Sequence, residues 1–259
     1  MKYKTKKLSD RFVSVLSQWP QVECISLNEA ADSDTLNPYF ALILDVYHNG
    51  EVPPPEKRWA IYGSDAAAFE TSHQGNKDRF LVGSLPVRLE FKSTGKIEEL
   101  VSIAESKHDS LWLIKDSGTY GYYRLAQGDI LFSRTGWVKD IRKRLLGLDD
   151  DFWIQMRDAS QSRMEHYLSD LGAALINDDE FHYLISSALF IKSACLALFC
   201  INRRFEPSHK AYYRQVVELP VLPESFAAEL ETFLRESGEL TLERKYKIAQ
   251  LVARNIIAL

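Results

Sequence analysis

The run NPYFALILDVYHNGEVPPPEKR at residues 37–58 interrupts an apolar stretch with one carboxylate, Asp45, shortly before a proline-rich turn. A carboxylate in that place has two chemical readings. It is a strand-end residue that meets water and caps the next turn, or it belongs to an acidic set that holds a metal ion. A second strand-like run, RFLVGSLPVRLEFKS at 79–93, carries Glu90 between Arg88 and Lys92 on its polar side, where the three can pair with one another. A literal acidic pair, Asp32 and Asp34, lies upstream in the loop NEAADSDTLNP, where solvated loop acids are the ordinary explanation.

A basic constellation follows much later. RRFEPSHK at 203–210 separates Arg204 from His209 by four residues, and this resembles the arginine–histidine signature of the HEPN helical ribonucleases. An arginine and a histidine held beside a scissile phosphate stabilise charge and move a proton without a metal. Pro207 interrupts the helix on which that pair belongs. The alternative is a basic rim, Arg203, Arg204 and Lys210, that attracts an anionic ligand. His48, His73 and His108 fall in polar loops, and His166 and His182 lack a second ligand at i+4, so no histidine zinc site is expected. The chain has no Walker loop, no Gly-x-Gly-x-x-Gly and no Gly-x-Ser-x-Gly.

These groups need elements to hold them. The 259 residues, 46% hydrophobic and 12% aromatic, suffice for two packed domains. A formal net charge of −4 supplies no general basic field, which counts against a nucleic-acid partner. Cys24, Cys195 and Cys200 lack paired spacing and read as buried thiols of a reducing cytoplasm. The basic N-terminus leads into no apolar run, so a secretory signal is not expected. YLISSALFIKSACLALFCI at 183–201 has the length of a membrane span, but Lys192 and three serines point to a buried bundle helix and no membrane partner.

Along the chain, the periodicity predicts a first helix ending at Pro20, strands at 22–27 and 39–47, and a helix over 56–71. It further predicts a strand over 79–93, a helix over KIEELVSIAES, and short strands SLWLIKDSG and DILFSRTGW flanking an aromatic hairpin, TYGYYRLAQG. VKDIRKRLLG reads as a basic helix, and the pattern beyond is helical only. The shift at GLDDD separates an α/β domain, 1–148, from a helical bundle, 149–259.

This order resembles the nucleotidyltransferase superfamily with the polymerase-beta-like fold, in particular bacterial two-domain members whose small catalytic domain precedes a helical substrate-binding domain. LFCINRRFEPSHKAYYRQVVELPVLPE is similar to that family's long helix closed by an asparagine, its aromatic-x-Pro turn, its lysine and its leucine–proline pair. ILFSRTGW resembles a family strand that ends in Thr-Gly, with Ser133 in place of the usual aspartate. The resemblance implies an α+β fold, a mixed sheet with flanking helices followed by an all-α bundle. It also implies transfer of a nucleotidyl group from a magnesium-bound nucleoside triphosphate to a small acceptor. On that reading Asp45 and Glu90 hold Mg2+, Asp32 and Asp34 are further candidate ligands, Ser26 lies near the phosphates, and Lys210 with Arg204 neutralises them. The sequence departs from the family in its Gly-Ser, which falls on Ser26 and Leu27, and in its Asp-x-Asp, which falls on Ile43 and Asp45. The competing expectation is a non-catalytic descendant that binds a ligand or a protein partner.

Overall fold

The computed structural model describes residues 3–28, 41–235 and 240–259. The acidic pair Asp32 and Asp34 lies outside them. Two compact units emerge: Met1–Leu111 with Gly121–Gly147, and Trp112–Tyr120 with Leu148–Leu259.

In the first unit, α1 (Tyr3–Leu16) buries Phe12 and Leu16 against a six-stranded sheet. Its strands are β1 (Val22–Leu27), β2 (Leu42–His48), β3 (Ala66–Thr71), β4 (Lys77–Val82), β5 (Leu85–Ser93) and β6 (Asp129–Ser133). They run in the order β3-β4-β5-β2-β1-β6, with β2 and β5 parallel and the other neighbours antiparallel. The near-continuous apolar sequence of β2 suits a central strand covered on both faces. Because side chains alternate along a strand, Leu42, Leu44 and Val46 enter the core with Val87, Leu89 and Phe91 of β5. Asp45 and Tyr47 therefore leave by the opposite face.

Three local expectations are corrected. The helix expected over 56–71 is only α2 (Pro55–Tyr62), because Gly63 turns the backbone at φ +108° and Ala66–Thr71 then pairs with β4 as an edge strand. Residues 79–93 form not one strand but two, joined at Gly83, whose φ of +59° suits a tight turn. SLWLIKDSG and TYGYYRLAQG are not strand and hairpin but helices, α4 (Trp112–Ser117) and α5 (Tyr120–Gln127). Two further helices complete the unit, α3 (Thr94–Ser106) and the basic α6 (Trp137–Leu146).

The second unit is helical, as the sequence pattern indicates. Besides α4 it contains α7 (Asp150–Ile176), α8 (Glu180–Ile201), α9 (Tyr212–Val217), α10 (Phe226–Leu234) and α11 (Leu242–Ile257). Asp149 caps α7 by accepting from the Phe152 amide at 2.9 Å, and Asp179 caps α8 from the His182 amide at 2.9 Å. Phe190, Leu198 and Phe199 of α8 pack with Met164, Leu171, Phe226 and Val252. One side of α8 is thus core, which is why so apolar a helix can sit in a bundle.

Candidate functional site

Asp45 and Glu90 are partnered across the parallel pair β2–β5, so their carboxyls emerge side by side on one face of the sheet. They are 0% and 6% exposed. Arg124 of α5 reaches both: Nη1 donates to Glu90 Oε2 at 2.8 Å and Nη2 donates to Asp45 Oδ1. Lys92 Nζ lies 3.1 Å from Asp45 Oδ2 and 3.9 Å from Glu90 Oε2. Two acids therefore meet two bases in a locally neutral, buried cluster.

The reach of Arg124 depends on how tightly α5 is held. A Cβ on Gly128 would stand 2.6 Å from the Arg124 carbonyl oxygen and 3.1 Å from that of Leu27, so the chain past α5 closes against β1 only with glycine there. Tyr122 donates to the Leu100 carbonyl at 2.7 Å, and Arg142 donates to the carbonyls of Leu125, at 2.8 Å, and of Gly128. The guanidinium is placed by a helix fixed along its length.

Protonation follows the charges. Burial pushes the Glu90 carboxyl up, but the attraction of Arg124 and then Lys92 outweighs it and leaves the group below its ordinary value. Burial lowers Lys92, against the pull of Asp45. Burial also raises the Tyr47 phenol well above its usual range, and the charge of Asp45 adds to this. For Glu90 the folded value lies below the unfolded one, so its stabilisation is present above the ordinary carboxyl value of about 4.3 and is lost as pH falls through the folded value. The acid limb of an unfolding-versus-pH curve should accordingly be shallower in Glu90→Gln than in the parent. An unchanged slope would show that Glu90 does not couple to Arg124 in solution.

Asp45 and Glu90, the described residues of the expected magnesium set, do not fit the ion in this geometry. A magnesium ion asks for near-octahedral oxygen ligands at about 2.1 Å. Here Asp45 Oδ1 and Glu90 Oε2 already receive the guanidinium and Asp45 Oδ2 the ammonium, whose positive charges stand where the ion would bring its own. Among the described residues no group of three His, Cys, Asp or Glu side chains converges as a metal site. Asp45 and Glu90 do come together as the sequence suggested, but around an arginine.

The backbone path nevertheless has known counterparts. The structure resembles a nucleotidyltransferase-like protein from Exiguobacterium sibiricum at a TM-score of 0.50, with 11% identity over 97% of this chain and 74% of the other. The fold is nucleotidyltransferase-like. An aminoglycoside 6-adenyltransferase from Bacillus subtilis also matches, over 100% of this chain and 91% of its own, at 7% identity. Its TM-score of 0.32 adds nothing to the fold assignment. No family model and no curated protein sequence matches the chain. Within this nucleotidyltransferase-like fold, Ser26 pairs with Asp45 across β1–β2 but is only 1% exposed, which shields it from phosphates in solution.

The helical unit holds a separate cavity of about 520 Å3. Lys115, Arg163, Lys192 and Lys210 line it, with Asp116 and Glu206 as the acids. Glu206 is 5% exposed and accepts from the Tyr212 hydroxyl, while burial and this acid raise the Tyr212 phenol. Gly118, at φ +77°, lets the chain pass Glu206, whose Oε2 would lie 2.6 Å from a Cβ there. Lys210 is thus brought to a cavity, whereas Arg204 is exposed and does not line it. The Arg204–His209 pair also fails as a ribonuclease motif, since residues 203–208 are non-helical and only His209 reaches the cavity wall.

Sequence reasoning missed Arg124, Arg163 and Glu206. Arg124 is hidden because its partners lie 34 and 79 residues away. Lys192 did leave a signal, a lone charge in an apolar helix.

Proposed function

We propose that this chain is a binding protein on a nucleotidyltransferase-like fold, which takes up an anionic ligand without a divalent metal and does not transfer a nucleotidyl group. The observation that supports it is the Arg124 guanidinium bridging Asp45 and Glu90, with Lys92 beside them. Removing Arg124 would leave two buried carboxylates without the cation they share most closely, so the bridge is held by a large electrostatic penalty and is not readily exchanged for a hydrated ion. The ligand site that fits is the cavity of the helical unit, where four cations outnumber two acids.

Isothermal titration of ATP, GTP and pyrophosphate, each with magnesium and with a chelator, tests this. Binding of at least one of them should be indifferent to magnesium and weaken tenfold or more in Lys115→Glu and Arg163→Glu. Binding that requires magnesium and disappears in Asp45→Ala would overturn the proposal in favour of nucleotidyl transfer. Failure of all three anions to bind would remove its ligand.

A further inference from the structure

The cavity of the helical unit is cationic, yet a buried carboxylate is built into its wall. Glu206 is 5% exposed and lines the cavity with Lys115, Arg163, Lys192 and Lys210. Its main-chain amide donates to the Thr119 hydroxyl at 2.8 Å, and its Oε1 accepts from the Tyr212 hydroxyl. Oε2 lies over Gly118, which has no side chain to offer it and whose amide already donates to the Ile114 carbonyl at 2.8 Å. Holding the Tyr212 phenol accounts for one carboxylate oxygen and not for the other. A negative charge in this place also repels a bare anion, so a site meant for inorganic phosphate would bind it better without Glu206.

We propose that, within the anion site put forward above and resting on that reading, Glu206 selects a phosphate ester that carries hydroxyl groups, a sugar phosphate, by accepting a hydrogen bond from one of them. The lysines and Arg163 attract the phosphate, and the guanidinium is aimed by Nη1, which donates to the Lys115 carbonyl at 2.7 Å. A hydroxyl suits Glu206 better than an ammonium, because four cations already outnumber two acids here and a further positive charge would be repelled. An ionised carboxylate only accepts, so a ligand without a donor would take water from Glu206 and return no hydrogen bond. The cavity, about 520 Å3, is larger than a lone phosphate fills and leaves room for the sugar.

Calorimetry on the full chain should find ribose 5-phosphate bound about tenfold more tightly than n-pentyl phosphate, a monoester of the same charge and carbon number without free hydroxyls. In Glu206→Gln, which keeps an acceptor for Tyr212, most of that preference should disappear, and n-pentyl phosphate should bind more tightly as the repulsion is removed. Equal binding of the two esters by the parent protein overturns the proposal, and so does a preference that survives Glu206→Gln in a protein with the parent's far-ultraviolet spectrum. Should that variant not fold, the two esters on the parent protein decide alone. Pyrophosphate that binds and is lost in Lys115→Glu, while the two esters bind alike, would refute the role of Glu206 and leave the anion site standing. If neither pyrophosphate nor either ester binds, both fall.

Discussion

Arg124→Ala should lower the unfolding free energy of the α/β unit by about 3–5 kcal/mol, because it strands two buried carboxylates without their shared cation. Asp45 is fully buried and Glu90 nearly so, and Lys92 stays near them, 3.1 and 3.9 Å away. Amide exchange across β2 and β5 is the suitable measurement, since a two-unit chain need not unfold in one step and a global midpoint would mix the two. The double change Asp45→Asn with Glu90→Gln on the Arg124→Ala background should recover much of the loss, since the amides no longer carry buried charge. A loss under about 1 kcal/mol from Arg124→Ala would mean that water reaches the cluster freely, and the case against a metal there would weaken with it.

A comparable loss, again about 3–5 kcal/mol, is expected for Asp78→Ala in β4. Arg58 is 1% and Asp78 0% exposed, and they meet through two bonds, Nε to Oδ2 at 2.8 Å and Nη2 to Oδ1 at 2.7 Å. The Tyr62 hydroxyl donates to the same carboxylate, and Arg58 also donates to the carbonyls of Pro53 at 2.7 Å and Gly75 at 3.0 Å. Its guanidinium carbon lies 4.8 Å from the centre of the Phe91 ring. Both Asp78→Ala and Asp78→Asn leave the buried guanidinium without its counter-charge, but Asp78→Asn keeps an acceptor and the shape and should lose clearly less. Chemical denaturation of the three proteins compares them directly. Equal losses from both substitutions would show that the charge, which both remove, is what matters and that the acceptor and shape kept by asparagine are not.

The parts of this fold that were legible in sequence are those whose signal is local. Val22–Leu27 and Leu42–His48 are recognisable because β-branched and apolar residues run on between turn formers, and α7 because Asp149, Asp150 and Asp151 stand at its start. Glu90 was legible as a strand acid from its alternation with Val87, Leu89 and Phe91. Residues 112–127 were not. Tyr120, Tyr122 and Tyr123 have the composition of a strand, and Arg124, a charged residue in a buried place, breaks the apolar period that would have disclosed α5. Ala66–Thr71 failed for the converse reason, since alanine favours a helix but pairing with β4 overrides that preference. The decisive feature of the site, a guanidinium between two acids, depends on tertiary contacts that no local pattern encodes.

The excursion of Trp112–Tyr120 into the helical unit bears on how such a chain can be inherited. Lys115, Asp116 and Gly118 in that short segment line the cavity of a unit whose remaining residues begin at Leu148. A recombination event that copied only the gene's last portion would deliver a bundle with part of its cavity wall missing. The two units are therefore bound to descend together, and a ligand preference gained in one travels through evolution with the sheet of the other.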